Sequence, residues 1–540
     1  MKAGGITQER TFLAPAEAVM ERRGFPRRLV ANGHRQELPE PEAAPLQRPL
    51  WPLRALLSPS LVLLLVAGCA IGPTYRRPAV NTPETFRGQA AAETASLADL
   101  PWWDVLKDDT LASLIRTALT NNYDVGIALA RMEQARAVVV QTRAQFFPGL
   151  GYQLEASRGR NAVVGNAAPG QNGSTAGAYI GTLNIAWEID LWGRVRRLQE
   201  AALAEYLASD EARRSVVLSL ESDVAQAYFE LLELDQELDI ARRATDSFGE
   251  SLKVFSDRLQ GGVSSRLESS RAEAALAETA ATIPGLERQI ALKENQLCIL
   301  LGSNPGPIPR KATLLRQEVP AEIPAGLPSA LLERRPDVRR AEQLLRAANA
   351  RIGVAMGDFL PHIGLTALFG AVSPELSTIS SSSARAWALT ANVTGPLFQG
   401  GRLAGRRLEV QQAWEEARLT YRQTALNAFR EVADALVARG KLAEERAMLE
   451  RAVSAYQEAV KVSVERYTAG RAGYFEVLEA QQQLLPAENA LARTQLNQVL
   501  TVVQLYKALG GGWEEDSESS EDKTGLPRHS RQGEGVPAPP

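Results

Sequence analysis

Residues 217–259 read VLSLESDVAQAYFELLELDQELDIARRATDSFGESLKVFSDRL, and this stretch decides the fold. Apolar residues recur every seven positions in two registers: Val217, Val224, Leu231, Leu238, Leu252 and Leu259, and Leu220, Ala227, Leu234, Ala241, Phe248 and Phe255. A seven-residue repeat kept over about six heptads predicts a helix that packs along a coiled-coil seam. No proline interrupts the chain from about Val195 to Leu259, so at ~1.5 Å per residue the helix is on the order of 100 Å long. Such a helix is too long for a globular core.

The pattern around this helix occurs twice along the chain. Arg258 to Gly262 aligns with Arg466 to Gly470 at an offset of 466 − 258 = 208 residues. Several other landmarks recur in the same order: Gly193-Arg194 with Gly401-Arg402 and Asp223-Val-Ala with Glu431-Val-Ala at that offset, and Asp124-Val125 with Asp337-Val338 at 213. We therefore predict two structural repeats, residues 101–310 and 311–512, each ordered as helix, two strands, long helix, turn and long helix. Pro284 and Pro486 are expected to kink the return helices without ending them.

Each repeat contains two segments with strand periodicity. The clearest are Tyr179–Glu188 and Arg385–Gly395, and shorter partners begin at Pro148 and Pro361. One face of the strands is apolar: Tyr179, Leu183, Ile185, Trp187, Trp387, Leu389 and Val393. Strands of about ten residues are long enough to cross a bilayer obliquely. Four strands cannot close a barrel, and an open edge in lipid costs several kcal/mol per unpaired group, so more than one chain is needed.

The N-terminal part predicts a lipoprotein signal. The apolar run LVLLLVAG ends directly before Cys69, with Arg54 upstream, which is typical of a signal whose cysteine is acylated and becomes the new N-terminus. The alternative is a short buried apolar segment. Ala70 after the cysteine resembles the bacterial pattern for sorting to the outer membrane. We expect residues 1–68 to be removed, and we attribute residues 1–50 to a start codon placed too far upstream. Residues 69–100 are expected to form an acylated linker, and residues 513–540 are expected to be disordered.

Composition and motifs exclude several classes of protein. A formal net charge of −3 gives no general attraction to nucleic acid, and two cysteines with three scattered histidines supply neither a zinc framework nor a disulfide scaffold. Outside the first 70 residues no run reaches the ~18 apolar residues of a spanning helix, so a polytopic helical transporter is excluded. The sequence contains no Walker A, G-x-S-x-G or H-E-x-x-H motif. We predict no enzymatic activity, no cofactor and no metal site.

An ordered set of short motifs resembles the TolC-like outer-membrane efflux factors, particularly their lipoprotein (NodT-like) branch. The motifs span residues 69–512: Cys69 with Ile71-Gly-Pro-Thr-Tyr-Arg-Arg-Pro78, Trp102-Trp103 with Leu111 and Leu114, Asn122-Tyr-Asp124, Arg334-Arg-Pro-Asp-Val338 and the two Arg-x-x-x-Gly turns. The resemblance implies an α+β fold and a homotrimer, with an outer-membrane β-barrel of four strands per chain continued by a coiled-coil α-barrel in the periplasm. It also implies a periplasmic adaptor and an inner-membrane pump as partners, and export of drugs, metals or other solutes.

The resemblance also assigns candidate site residues at the periplasmic tips. Tyr467 matches the family's gate tyrosine, Glu476 and Glu479 match its acidic ring, and the turns at Gly261, Gly262 and Gly470 match the surface that docks the adaptor. The family commonly has aspartate at the acidic positions. The basic residue that ties the gate in some family members falls on Ala472 in this chain, beside Arg471. Two alternatives stay open. Tyr467 lies on the seam and could be a core residue, and the glutamates near a helix N-terminus could form a solvated face.

Two other functions use the same sequence features. A duct of a type I protein secretion system has the same architecture, although the lipoprotein signal and the Gly-Pro-Thr-Tyr-Arg-Arg-Pro stretch favour efflux partners. A structural coiled-coil protein could span the periplasm without conducting. The paired amphipathic strands argue against such a spacer, which needs no membrane-crossing sheet.

Overall fold

The structure is a computed structural model that describes residues 70–89, 96–97, 106–160, 175–311, 313–317 and 324–511. The leader 1–68, Cys69, Trp102, Trp103 and the tail 513–540 lie outside these residues. In the part of the chain that is described, no helix is both long enough and apolar enough to cross a membrane. The fold is α+β, as predicted: mostly helical, with one small antiparallel sheet.

The sheet consists of the four predicted strands. These are β1 (Gly149–Arg160), β2 (Thr175–Ile189), β3 (His362–Ser373) and β4 (Arg385–Thr394), in the order β1-β2-β3-β4 with antiparallel neighbours throughout. The register aligns Tyr152, Leu183, Phe369 and Trp387 in one row across the sheet, and Leu150, Ile185, Ala367 and Leu389 in the next row on the same face. Because side chains alternate along a strand, these large apolar residues share one face, whereas Ile180, Leu368 and Val372 lie on the other.

Eight helices are described outside the short 3₁₀ turns. In chain order they are α1 (Asp109–Asn121), α2 (Tyr123–Ala144), α3 (Arg194–Gln260), α4 (Arg266–Leu300), α5 (Pro328–Arg334), α6 (Pro336–Gly357), α7 (Arg402–Thr468) and α8 (Tyr474–Ala508). α3 and α7 have 67 residues each, and α4 and α8 have 35 each. Both α4 and α8 continue through their internal prolines, Pro284 and Pro486, as the sequence predicts. The starts of the paired helices are separated by 402 − 194 = 208 and 474 − 266 = 208 residues. The repeat boundaries themselves remain a prediction.

The first helix of each repeat is two helices, which differs from the prediction. Asn122 separates α1 from α2 because its side chain caps α2, accepting from the backbone N–H groups of Asp124 and Val125 at 2.8 and 3.3 Å. Arg335 separates α5 from α6 because Pro336 disfavours helical geometry at the residue before it. Arg335 is buried and its Nη1 donates to Glu431 Oε2 at 2.7 Å and to the carbonyl of Ala508 at 2.9 Å.

The heptad residues of α3 form the core, as predicted. Val224, Leu231, Ala227, Phe248 and Phe255 are buried, and α3 packs against α1, α4 and α8 as well as α6. The seam of α7 is more open within one chain, since Leu442, Leu449, Tyr456 and Val460 are only half-buried. α7 nevertheless packs against α8 and α6 along its length.

Residues 70–89 form a strap that begins where the sheet meets the helices. Ile71 donates its N–H to the carbonyl of Trp192 at 3.0 Å, and Arg197 Nε donates to the carbonyl of Ile71 at 3.1 Å. Gly72 and Gly353 approach so closely that a Cβ on Gly72 would lie 2.6 Å from Gly353 Cα. The strap is therefore held at the end of β2.

Candidate functional site at the hairpin tips

The two predicted glycine turns reverse the chain. Gly262 and Gly470 have φ values of +73° and +71°, which favour glycine, and open space surrounds the Cβ position of both. Val263 donates its N–H to the carbonyl of Arg258 at 2.9 Å, and Arg471 donates to the carbonyl of Arg466 at 2.8 Å. These bonds close a Schellman-type helix end in each hairpin. The conformation of the turn, and not packing, requires these two glycines.

Tyr467 lies in the seam between the two hairpins of one chain. Its ring meets Phe255 edge to face at 5.0 Å between centroids, and the Arg258 guanidinium lies 4.6 Å from the ring centroid. Arg258 Nη1 also donates to the backbone carbonyl of Tyr467 at 3.1 Å. One arginine of the first hairpin therefore holds both the ring and the backbone of the second hairpin.

The Tyr467 hydroxyl contributes little to this contact. Tyr467 is 5% exposed, and its hydroxyl makes no well-formed hydrogen bond among the described residues, although the Ser264 side chain is close enough to lower the pKa of that hydroxyl. Burial raises the pKa of Tyr467, and the positive charge of Arg258 opposes that rise. The Arg258 guanidinium is therefore the group that holds the two hairpins together, and Tyr467 contributes a buried ring to that contact.

A second contact joins the hairpins beside the first. Arg271 Nη1 donates to the hydroxyl of Tyr474 at 2.8 Å, and the Tyr474 ring lies 6.3 Å from that of Phe255. Sequence reasoning missed Arg258, Arg271 and Tyr474 as contact residues. Arg258 was noticed only as a repeat landmark, because periodicity contains no signal for a contact between residues 209 positions apart.

Glu476 and Glu479 lie together on the exposed side of α8. Their neighbours Val477 and Leu478 are buried in the seam, so the acids face away from Tyr467. Glu476 Oε2 lies 3.6 Å from Arg466 Nε, and Glu479 has no ion-pair partner among the described residues. The structure therefore groups the two acids on one helix face but does not bring them into contact with Tyr467.

The two hairpins differ at the acidic positions. At the offset of 208 residues, Glu268 corresponds to Glu476, whereas Arg271 corresponds to Glu479. The first hairpin therefore carries one acid and one base where the second carries two acids. In the part of the chain that is described, no group of three or more histidine, cysteine, aspartate or glutamate side chains could hold a metal ion.

Comparison with known proteins identifies the family. The profile of the outer membrane efflux protein family matches residues 114–303 and 327–511. The toluene efflux pump outer membrane protein TtgI of Pseudomonas putida is 35% identical over 463 residues, covering 84% of this chain and 98% of TtgI. Outer membrane protein OprJ of Pseudomonas aeruginosa is 33% identical over 474 residues, covering 87% and 98%.

Solved structures share the fold. The outer-membrane channel OprN superposes with a TM-score of 0.77 at 30% identity, over 82% of this chain and all of OprN. The open state of the MtrE outer membrane channel of Neisseria gonorrhoeae superposes with a TM-score of 0.74 at 31% identity, over 82% and 98%. The TolC-like fold and the outer-membrane location expected from the sequence are confirmed. The chain belongs to the outer membrane efflux protein family and acts in efflux at the outer membrane.

Proposed function

We propose that three copies of the chain form one passive exit duct of a tripartite efflux pump, working with a periplasmic adaptor and an inner-membrane pump. The duct performs no enzymatic step. Its relatives include pumps named for solvents, toluene and antibiotics, so small organic molecules are the substrate class proposed here. The single observation that carries the proposal is the four-stranded sheet, which has one apolar face and two strands, β1 and β4, that each pair on one side only.

The two faces of the sheet fit lipid and water respectively. Leu150, Tyr152, Phe369, Trp387 and Leu389 are exposed on the apolar face. The opposite face carries small or polar residues in the same registers, including Gln153, Thr182, Asn184, Thr366 and Thr390. Joining the β4 edge of one copy to the β1 edge of the next pairs all edges, and three copies give a barrel of about twelve strands, which has a wider interior than an eight-stranded one.

The helices also carry surfaces that could join three copies of the chain into a closed ring. Leu408, Leu419 and Leu426 form an exposed stripe on α7, and Tyr123, Ile127 and Val138 form another on α2. Because these are two different surfaces of one chain, contact between them is head to tail, and such contacts form a ring when the rotation closes.

The oligomeric state tests this arrangement. We expect light scattering of the detergent-solubilised protein to give the mass of three chains, and Leu419→Glu to shift particles towards single chains because it places a charge in a buried contact. The exposed ion-pair variant Arg430→Gln is the matched control on the same helix. A wild-type protein that is a monodisperse monomer in detergent would contradict the proposal.

We propose that Cys69 is the lipid anchor. Ala70 packs against Gly193 at the end of β2, since a Cβ on Gly193 would lie 2.7 Å from Ala70 Cα. Ala70 is thereby held next to the end of β2, and an acyl chain attached one residue upstream would enter the adjoining leaflet. This position supports the interpretation of residues 61–69 as a lipoprotein signal.

Intact mass of the membrane-extracted protein tests the anchor. We expect a chain that begins at Cys69 and carries acyl groups, and Cys69→Ala is expected to abolish palmitate labelling. The second cysteine, Cys298, is buried, so Cys298→Ser is the control that leaves labelling unchanged. Recovery of a mature protein that retains residues 20–60 would exclude both the anchor and the predicted leader.

We propose that the tips form the gate and that Gly261, Gly262 and Gly470 present the adaptor-docking turns. Tyr467, held by Arg258, keeps the second hairpin against the first, and this contact must break for the tip to move. Glu476 and Glu479 lie on the opposite face of α8, and in a trimer they would contribute six carboxylates to one ring. A ring of carboxylates favours cations.

The acidic ring is tested by removing its charge. Glu476→Gln with Glu479→Gln should lower the preference for cations over anions and weaken block by divalent cations, because six negative charges are lost from the constriction. The measurement is the reversal potential under a salt gradient in planar bilayers. Glu458→Gln, an exposed acid on α7, is the control. Unchanged selectivity in the double variant would place the two glutamates on the outer surface of the duct.

The two alternative functions differ in the structural features that they require. A non-conducting spacer does not require the apolar sheet, and it gives no current in a bilayer. A type I secretion duct shares the fold, but TtgI and several other relatives are named as outer membrane proteins of efflux pumps. Efflux is therefore the function that the relatives favour.

A further inference from the structure

One level of the seam between α3 and α8 departs from a regular apolar coiled coil. Ser251 lies nine residues before the end of α3, and Gln481 lies seven residues after the start of α8. At 1.5 Å per residue, this level is roughly 10–15 Å from the tips. Three separate features coincide there: a buried polar contact, two residues that weaken the helices, and a cavity.

The polar contact is buried and complete. Gln481 is 5% exposed, and its Nε2 lies 2.8 Å from Ser247 Oγ and 2.9 Å from Ser251 Oγ. The Ser251 hydroxyl lies 3.2 Å from Gln481 Oε1, to which it can donate. The apolar contacts of Phe248 and Leu478 surround this group. A satisfied polar group in an apolar seam fixes the register of two helices, because a shift leaves buried donors and acceptors unpaired.

Both helices are weakened at this level. Gly249 lies between the two serines, and a Cβ there would meet no atom within 4 Å, so packing does not require glycine. An interior glycine costs a helix about 1 kcal/mol relative to alanine. In α8, Pro486 has no N–H to donate to the carbonyl of Gln482, which removes one helical hydrogen bond. Bending therefore costs less here than elsewhere in either helix.

A cavity gives the helices room to move. It has a volume of about 200 Å³, is lined by α3, α7 and α8, and is partly open to solvent, with Ala244, Phe248, Val460, Gln481, Leu484 and Leu485 among its lining residues. A small rotation of α8 towards α3 or α7 would be taken up by this space without a clash.

The seam above this level is tied by charges. Arg493 Nε donates to Glu237 Oε1 at 3.1 Å, and Arg243 Nη1 lies 3.6 Å from Glu488 Oε1. Gln457 Nε2 also donates to Glu488 Oε1, at 3.2 Å, which joins α7 to the same point. Below the level, the arginine–tyrosine contacts at the tips are the cross-hairpin ties. Charged pairs therefore tie the seam above this level, arginine–tyrosine contacts tie it below, and the uncharged Gln481 contact lies between them.

We propose that the Gln481 level is the hinge about which the hairpin tips open, while the seam above it stays closed. The proposal rests on the gate described under Proposed function and adds the place at which the moving part ends. Opening breaks the Arg258 and Arg271 contacts below the hinge and uses the cavity beside Gln481. The Arg493–Glu237 and Arg243–Glu488 pairs above it do not separate.

Chemical cross-linking on either side of the hinge tests the proposal. In a Cys298→Ser background, one double-cysteine variant replaces Arg271 and Tyr474 below the hinge, and a second replaces Glu237 and Arg493 above it. A bifunctional methanethiosulfonate links each pair, and single-channel recordings are made before and after reduction. We expect the lower link to abolish openings reversibly and the upper link to leave open probability within about twofold. Loss of openings with both links, or with neither, would overturn the hinge.

Single substitutions provide a second test. They are made in the Arg258→Gln variant, which is expected to open often enough for its opening rate to be measured. Gly249→Ala and Pro486→Ala should each lower the opening rate about fivefold, because each makes its helix harder to bend at this level; a fivefold change in rate corresponds to about 1 kcal/mol. Gly440→Ala is the control: it is an interior glycine of α7 with open space at its Cβ position, far above the hinge. Equal rates in all three variants would refute the hinge. A complete absence of current in every protein, including the uncross-linked ones, would instead refute the proposed duct.

Discussion

Ile185→Arg is expected to prevent assembly of the protein in the outer membrane. Ile185 pairs with Ala367 near the middle of β3, in the row with Leu150 and Leu389 on the apolar face. An arginine on the lipid face of a membrane strand costs about 2–4 kcal/mol near mid-bilayer, and a trimer repeats that cost three times. The measurement is the fraction of protein that runs as a trimer after extraction of outer membranes.

Ala186→Arg is the matched control because its side chain points to the opposite face of the same strand, where Gly149 and Thr366 are its neighbours. We expect this variant to assemble. Normal assembly of Ile185→Arg together with failure of Ala186→Arg would show that the sheet faces lipid with its other side.

Arg258→Gln is expected to raise the basal open probability at least tenfold. The substitution removes the cation–ring contact with Tyr467 and the charged donor to its carbonyl. A cation–π contact contributes about 0.5–2 kcal/mol, and 1.4 kcal/mol is a tenfold change in an equilibrium, with three such contacts in a trimer. Tyr467→Phe should change little, since its hydroxyl makes no well-formed hydrogen bond among the described residues.

Arg266→Gln removes a positive charge from an exposed side chain at the same tip and is the control. Single-channel recording compares the three variants with wild type. If Tyr467→Phe opened the channel and Arg258→Gln did not, the hydroxyl and not the guanidinium would hold the gate.

The fold could be predicted because its main elements repeat with a regular period. The heptads at Val224, Leu231 and Phe255 and the alternation at Leu183 and Ile185 each bury or expose one face, and a period of seven or two is visible in the sequence. Helix breaks were not predicted at Asn122 and Arg335. They depend on one capping side chain and one following proline, which interrupt a helix without disturbing its apolar pattern.

The candidate site was predicted only in part. The turns at Gly262 and Gly470 follow from a local need for positive φ, which glycine meets. The contacts of Arg258 and Arg271 join hairpins about 200 residues apart, and their partners depend on how α3 packs against α7 and how α4 packs against α8. The asymmetry between Arg271 and Glu479 is visible at the repeat offset, but its consequence needs the geometry of the tips.

The most direct test is single-channel recording of the purified wild-type protein and of Arg258→Gln in planar lipid bilayers. We expect a cation-preferring channel that is mostly closed in wild type, with the same full conductance but far more frequent opening in Arg258→Gln. A protein that assembles as a trimer yet gives no current in either form would contradict the gated duct.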